Sequence, residues 1–243
     1  MGVKTIFFDA YGTLLELGDY YYDLAAQVLD EVGCSINPHL FWETWNDAFN
    51  GIIFDINEGQ HPFTNIRTTY KISLKNAFLM FGISISDGRL DELNRMCKAL
   101  LDQRCTILPS TRETIEALKH KEDVKIGLIS NGDNDELSHH LGELVELFDA
   151  TTISENVRAY KPDTRIFQAA LKELNANPEE ALFIGDNLRI DVNGANKAGI
   201  RSVWYNQKGA LPEDGIKPHF TIANINEVLE IVKLLIPLED FLF

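Results

Sequence analysis

Polar side chains stand where three apolar runs end in this 243-residue sequence, and their types could perform hydrolytic chemistry. Asp9 ends the first run, Ser130 and Asn131 end the second, and Asp186 follows the third. A carboxylate can attack phosphorus or carbon and form a covalent intermediate that water later cleaves. Hydroxyl and amide groups can bind phosphoryl oxygens, and carboxylates can hold Mg²⁺. These residue types therefore favour a hydrolase whose site is assembled from strand ends.

The elements that must position these residues are short buried strands. Apolar runs at residues 4–8, 124–129 and 181–184, and the run "RSVWY", each predict such a strand. In the second half of the chain they alternate with segments of helical period, which predicts a parallel sheet covered by helices on both faces. Ligands of such sheets bind beyond the carboxyl ends of the strands. The polar residues that end these runs are thereby expected at one edge of the sheet.

Between the first strand and the others lies a segment of different character. From about Tyr20 to about Gln103 the apolar residues recur with helical period, and no run there is convincing as a strand. The segment is interpreted as an insertion that could cover the strand ends as a lid. We therefore predict an α/β fold: a doubly wound, Rossmann-like parallel-sheet core (residues 1–16 and 106–243) with an inserted all-helical cap domain (residues 17–105).

Composition and charge limit the kinds of molecule that this protein is expected to bind. The formal net charge of −15 argues against binding to nucleic acid or to an anionic membrane. Three cysteines without metal-ligand spacing, and an N-terminus with no signal-peptide pattern, predict a cytoplasmic protein. No apolar run reaches membrane-spanning length. The expected partner is a small metabolite, with the protein itself a monomer or homodimer.

Four segments carry a resemblance to a known family. In chain order they are "FFDAYGTLL", "GLISNG", "AYKPDTRIFQAAL" and "FIGDNLRIDVNGANKAGI". They resemble, in the same order, the four motifs of the haloacid dehalogenase-like (HAD) hydrolases. The resemblance extends from the first strand to Ile200, and the helical insertion matches the cap position of one subgroup of that family.

The resemblance implies a role for each matching residue. Asp9 would be the nucleophile, Lys161 would supply a fixed positive charge, and Ser130 would act with them, as would the residue at position 11, Tyr11. Substrate binding would fall to Gly12, Thr13 and Asn131. The metal site for Mg²⁺ would comprise Asp9, the backbone carbonyl of Tyr11 and Asp186, with Asp191 orienting the metal's waters from outside.

Two positions point to different reactions. Phosphatases of this family usually carry a second Asp two residues after the nucleophile, as the acid that protonates the leaving oxygen. Tyr11 stands there instead, and the form "DAYGTLL" resembles the 2-haloacid dehalogenases, whose halide leaving group needs no proton. Those dehalogenases, however, have serine where this chain has Asp186, because they need no metal. Keeping both Asp186 and Asp191 favours a Mg²⁺-dependent phosphatase acting on a small phosphorylated metabolite through an aspartyl-phosphate on Asp9.

Other readings stay open at this point. The first is a metal-independent 2-haloacid dehalogenase with an ester intermediate on Asp9, and the second is a non-catalytic binding protein on the same scaffold. Phosphonate hydrolysis would need a cap lysine, for which Lys71, Lys75 and Lys98 are available. His139 and His140 fall on the polar side of a predicted helix, and we assign neither a catalytic role.

Overall fold

The chain folds into two compact units. A computed structural model describes residues 2–18, 20–121, 124–213 and 215–235. The first unit comprises Met1–Glu16 and Ile107–Phe243, and the second comprises Leu17–Thr106. The chain returns from the second unit to the first after Thr106, one residue later than the predicted boundary after residue 105. The role of the second unit as a cap stays a prediction.

The first unit is built on a parallel sheet. Its strands are β1 (Thr5–Phe8), β4 (Lys125–Ser130), β5 (Ala150–Ile153), β6 (Ala181–Gly185), β7 (Arg201–Tyr205) and β8 (Phe220–Ile222), while β2 (Leu15–Glu16) and β3 (Thr106–Ile107) form a separate two-stranded sheet. Strand pairing in the described residues gives the order β5-β4-β1-β6-β7-β8, in which every pair is parallel. This order grows outward in both directions from the central strand, as in doubly wound α/β proteins. The predicted fold class is confirmed.

The described residues of the second unit form four helices, in agreement with the predicted all-helical segment. Asn37, Asn65 and Ser86 each accept a backbone N–H bond with their side chains, which fixes where three of the helices begin. The apolar faces meet in a core that contains Phe41 and Trp45. The helices are α1 (Tyr20–Val32), α2 (Pro38–Asn57), α3 (Ile66–Met80) and α4 (Asp87–Arg104).

Helices also link the strands of the first unit. They are α5 (Thr111–Lys119), α6 (Asn134–Leu141), α7 (Ser154–Val157), α8 (Thr164–Glu173), α9 (Asn193–Lys197) and α10 (Val228–Leu235). The sequence pattern predicts continuous helices over residues 135–148 and 188–199, and the structure differs from both predictions. The one after β4 ends at Leu141, because Gly142 takes a positive φ of 51° there, and a 3₁₀ segment follows. The one after β6 begins as a π-helix, Leu188–Val192, before α9.

Four of the observed strands were not predicted: β2 and β3 of the two-stranded sheet, and β5 and β8 of the six-stranded sheet. Strands β5 and β8 lie at the two edges of the sheet, and both are short. In the described part of the chain, no helix is both long enough and apolar enough to cross a bilayer.

Candidate active site

Asp9 lies directly beyond β1, at the centre of the sheet. Its backbone N–H donates to the carbonyl of Ile184 in β6 (2.8 Å), so the residue is fixed between two strands. The side chain is 7% exposed. Oδ1 accepts a hydrogen bond from Lys161 Nζ, and Oδ2 accepts one from Thr13 Oγ1 (3.2 Å). Both oxygens of the predicted nucleophile are therefore oriented by donors that the sequence also indicated.

Lys161 is a buried cation between two carboxylates. Its ammonium donates to Asp9 and to Asp191 Oδ1 (2.7 Å), and the side chain is 2% exposed. Burial by itself would lower the pKa of Lys161, but the two carboxylates outweigh burial and raise it. Lys161 therefore stays charged at neutral pH.

The pKa of Asp9 moves upward. Burial raises it to about 6, against the opposing charge of Lys161 and with the help of the Asp191 carboxylate. At pH 7 most of Asp9 is still ionised, which a nucleophile requires.

Asn131 holds Lys161 by its backbone. The Asn131 Oδ1 accepts from the Lys161 backbone N–H (2.8 Å), and Nδ2 donates to the Lys161 carbonyl (3.2 Å). Both polar ends of the amide are thus used to position the lysine. The predicted contact between Asn131 and a phosphoryl oxygen stays a prediction.

The π-helix after β6 positions Asp191. Its Oδ2 accepts from the backbone N–H of Asn187 (3.0 Å), while Oδ1 binds Lys161. The side chain packs so closely on Gly185 that a Cβ there would lie 2.5 Å from the Asp191 Cβ. Glycine at position 185 is therefore required for this arrangement.

Asp186 directly follows β6, and its surroundings differ from those of Asp9 and Asp191. Its carbonyl accepts from Trp204 Nε1 (2.9 Å), and its carboxylate presses against the backbone of Gly12. Burial by surrounding atoms, and then the charges of Asp191 and Asp9, raise the pKa of Asp186 well above its usual value, although part of the side chain is open to solvent. In the described part of the chain, no ion pair joins the Asp186 carboxylate to a lysine or arginine.

Gly12 has two reasons to be glycine. Its φ is +90°, which disfavours other residues, and a Cβ would lie 2.4 Å from Asp186 Oδ2. The backbone of the predicted substrate-binding loop at Gly12 therefore lies close against the Asp186 carboxylate.

These residues form a cluster suited to a cation. Oxygens of Asp9, Asp186 and Asp191 all lie within 4.8 Å of one another. Carboxylate oxygens are the hard donors that Mg²⁺ prefers, so the chemistry of this donor set fits the ion. Three carboxylates face one ammonium, which leaves excess negative charge that a divalent cation would balance.

Two other predicted residues lie on the neighbouring loops. Ser130 is the last residue of β4 and is buried; its hydroxyl makes a long contact of 3.5 Å with the Asn131 carbonyl. The ring of Tyr11 lies over the loop after β4, 3.7 Å from where a Cβ of Gly132 would be.

Sequence reasoning missed two residues around this loop. The Tyr11 Oη lies 2.9 Å from His140 Nδ1, and the two rings meet edge to face. Ser154 holds the loop, since its hydroxyl accepts from the Gly132 N–H (3.0 Å) and donates to the Gly132 carbonyl (3.1 Å). Neither partner is marked in the sequence, because both contacts depend on how distant elements pack.

A buried carboxylate, a lysine and further acids at the carboxyl edge of a doubly wound sheet are typical of a hydrolase with a carboxylate nucleophile on a Rossmann-like fold. Residues 3–199 match the family model for haloacid dehalogenase-like hydrolases, and the chain belongs to that family.

Relatives of known activity fall into two groups. The chain is 27% identical over 225 residues to (S)-2-haloacid dehalogenase 4A of Burkholderia cepacia, covering 89% of this chain and 88% of that protein. It is 36% identical over 132 residues to the glyceraldehyde 3-phosphate phosphatase of Pyrococcus furiosus, covering 52% of this chain and 54% of that one. A crystal structure of a dehalogenase superposes with a TM-score of 0.73 at 25% identity, covering 94% of this chain and 96% of that one. The protein is thus a hydrolase with similarity to enzymes of both reactions.

Proposed function

We propose that the protein is a Mg²⁺-dependent phosphatase that hydrolyses a small phosphorylated metabolite through an aspartyl-phosphate on Asp9. The observation that carries this proposal is the Asp186 carboxylate. It lies in an acidic cluster with Asp9 and Asp191, and within the described residues no basic side chain pairs with it. Such a carboxylate is unfavourable in an enzyme that works without a metal.

The metal would be held by Asp9, Asp186 and the backbone carbonyl of Tyr11. Asp191 would orient the waters bound to the metal. When bound, Mg²⁺ would neutralise charge on the carboxylates and on phosphoryl oxygens. The cluster geometry and the raised pKa of Asp186 both support this assignment, because a cation would favour the ionised carboxylate that burial, and then the charges of Asp191 and Asp9, disfavour.

The chain's own residues perform the transfer in two displacements. An oxygen of Asp9 attacks phosphorus as the bond to the leaving oxygen breaks, and water then attacks phosphorus and releases phosphate from Asp9. Lys161 is poised to stabilise negative charge beside Asp9, and Thr13 fixes the carboxylate rotamer. Ser130, at the end of β4, offers a hydroxyl to a phosphoryl oxygen.

An ester is a better substrate than a phosphonate. Phosphonate hydrolysis in this family needs a desolvated lysine for a Schiff base. Lys71, Lys75 and Lys98 are all partly exposed, and each pairs with a carboxylate of α4. None of these three lies in a desolvated pocket.

A second candidate, 2-haloacid dehalogenation, is favoured by one specific observation. Tyr11 replaces the acid that phosphatases keep at this position, and the similarity to a haloacid dehalogenase extends over most of the chain. In that reaction Asp9 would attack carbon and release halide, and Tyr11 would form part of the pocket wall.

One assay separates the two candidates. The purified chain is incubated with a panel of phosphate esters and of 2-haloacids, each with Mg²⁺ and with EDTA. We expect phosphate release that needs Mg²⁺ and no halide release. Halide release that persists in EDTA, without phosphatase activity, would transfer the function to the dehalogenase candidate. Asp9→Asn is the matched negative control, because it keeps the shape of the side chain and removes the nucleophile.

A further inference from the structure

The indole of Trp204 binds the backbone of a residue that would hold the metal. Trp204 Nε1 donates to the carbonyl of Asp186 at 2.9 Å, and Trp204 is 4% exposed. In the parallel pairing of β6 with β7, Trp204 lies opposite Gly185, which is the last residue of β6. A side chain of β7 therefore binds the backbone at the first residue beyond the end of strand β6.

The same side chain packs with the helix that carries a second acid. The first and last residues of the π-helix Leu188–Val192 form a buried apolar cluster with Trp204, and Ile216 also packs against this cluster. Asp191 belongs to that π-helix. Trp204 thus connects the backbone of Asp186 with the helix of Asp191.

We propose that Trp204 is a positioning residue of the Mg²⁺ site, which holds the backbone of Asp186 and the helix of Asp191 in place for the metal. The inference rests on the proposed phosphatase function. Mg²⁺ requires nearly ideal octahedral geometry with short bonds to its oxygen ligands, so small displacements of a carboxylate weaken binding. Removal of the groups that orient metal ligands typically lowers metal affinity by about 10–100-fold.

The N–H group of the indole is the part of the side chain that distinguishes it from other aromatic residues. An indole nitrogen can only donate a hydrogen bond, and buried donors in proteins are nearly always paired. Phenylalanine at position 204 would keep an aromatic ring beside Leu188 and Val192. It would remove the donor to the Asp186 carbonyl, and Trp204→Phe is therefore the informative substitution.

The first test measures Mg²⁺ binding by isothermal titration calorimetry, with the metal alone and no substrate. We expect Trp204→Phe to raise the Kd for Mg²⁺ by about 10–100-fold. Its kcat for p-nitrophenyl phosphate at saturating Mg²⁺ should stay close to that of the wild type, because the nucleophile, the lysine and the acids are all still present. A positioning role thus predicts a change in metal affinity with little change in kcat.

Trp45→Phe is the matched control. Trp45 is 1% exposed, and its Nε1 donates to Ser73 Oγ at 2.9 Å in the core of the second unit. Each variant loses one buried indole and one hydrogen bond, so both should melt at a lower temperature than the wild type in EDTA. Only Trp204→Phe should bind Mg²⁺ more weakly.

A second test leaves Trp204 unchanged. The sequence has three tryptophans, so protein labelled with ¹⁵N-tryptophan gives three indole N–H signals in a proton–nitrogen NMR spectrum. The spectra of Trp42→Phe and Trp45→Phe identify the Trp204 signal by elimination. We expect this signal to shift when Mg²⁺ is added to the wild type, because its acceptor is the carbonyl of a metal ligand, and the Trp45 signal to stay in place.

The possible results separate this inference from the proposed function. Equal Mg²⁺ affinity in Trp204→Phe and the wild type, or a Trp204 signal that does not move when Mg²⁺ binds, would overturn the inference and leave the phosphatase function intact. An equal loss of affinity in Trp45→Phe would also overturn it, because weaker folding alone would then explain the effect. A wild type that neither binds Mg²⁺ nor releases phosphate would contradict the proposed function and this inference together.

Discussion

Asn131 binds the backbone of Lys161 at both ends of its side-chain amide, with distances of 2.8 Å and 3.2 Å. The amide thereby sets the position of the lysine that bridges Asp9 and Asp191. Asn131, which the family motif suggests for phosphate binding, therefore also positions Lys161.

Asn131→Ala should lower kcat more than it raises KM. Lys161 would lose its two backbone restraints, and small displacements of a catalytic group can reduce rates by about 10²-fold. Steady-state kinetics with p-nitrophenyl phosphate measures this, with circular dichroism to confirm folding. Asn177→Ala, at an exposed surface amide, is the control. A wild-type rate in Asn131→Ala would contradict the positioning role.

Lys161→Ala should be more damaging than Lys161→Arg. Alanine leaves two buried carboxylates without their cation, while arginine keeps the charge in a wide planar group that fits less well. We expect kcat/KM to fall by about 10²–10³-fold or more for alanine. Lys172→Ala, an exposed lysine on α8, provides the comparison. Small, equal losses for both Lys161 variants would mean that its charge has no catalytic role.

Gly12→Ala should weaken Mg²⁺ binding. A Cβ at this position would collide with the Asp186 carboxylate, and φ of +90° adds backbone strain of about 1–2 kcal/mol. The measurement is the Mg²⁺ concentration that gives half-maximal activity, which should rise. Gly33→Ala is the matched control, because Gly33 also has a positive φ but has open space around it. Equal Mg²⁺ requirements in the two variants would exclude the contact with Asp186.

Stability without metal should fall as pH rises. Asp9 and Asp186 have pKa values raised above the ordinary 3.8, so the folded protein binds protons that the unfolded chain releases. These bound protons make their full contribution to the free energy of unfolding below about pH 4. The contribution is lost as the pH rises through the raised pKa values, and the raised pKa of Asp9 is about 6. Melting temperature in EDTA across pH 4–8 measures this fall.

Asp186→Asn is the variant that isolates the effect. In EDTA at pH 7.5 its melting temperature should exceed that of the wild type, by about 2–4 °C for each ~1 kcal/mol of repulsion removed. Mg²⁺ should stabilise the wild type and not the variant. A variant that melts below the wild type in EDTA would show that Asp186 is not a repelled carboxylate.

Much of this architecture follows from the sequence, and the exceptions have physical reasons. The interior strands β1, β4, β6 and β7 are buried on both faces and read as continuous apolar runs. The edge strands "ATTI" and "FTI" contain no continuous apolar run, so their pattern did not distinguish them from loops. Position in the sheet, rather than strand propensity, separates the two groups.

The site shows the same division. Asp9, Lys161, Asp186 and Asp191 could be named because each stands in a motif at a predicted strand end or helix start. The contact to His140 could not, because it depends on the direction in which α6 leaves the sheet. The sequence motifs show which residues form the site, but the packing of distant elements decides which other residues they contact.

A crystal grown with Mg²⁺ and beryllofluoride tests the central proposal most directly. We expect beryllofluoride bonded to an Asp9 oxygen and a Mg²⁺ ion about 2.0–2.1 Å from oxygens of Asp9 and Asp186. The same crystal of Asp9→Asn should bind no beryllofluoride. A wild-type site that takes up neither the metal nor beryllofluoride would contradict metal-dependent phosphoryl transfer through Asp9.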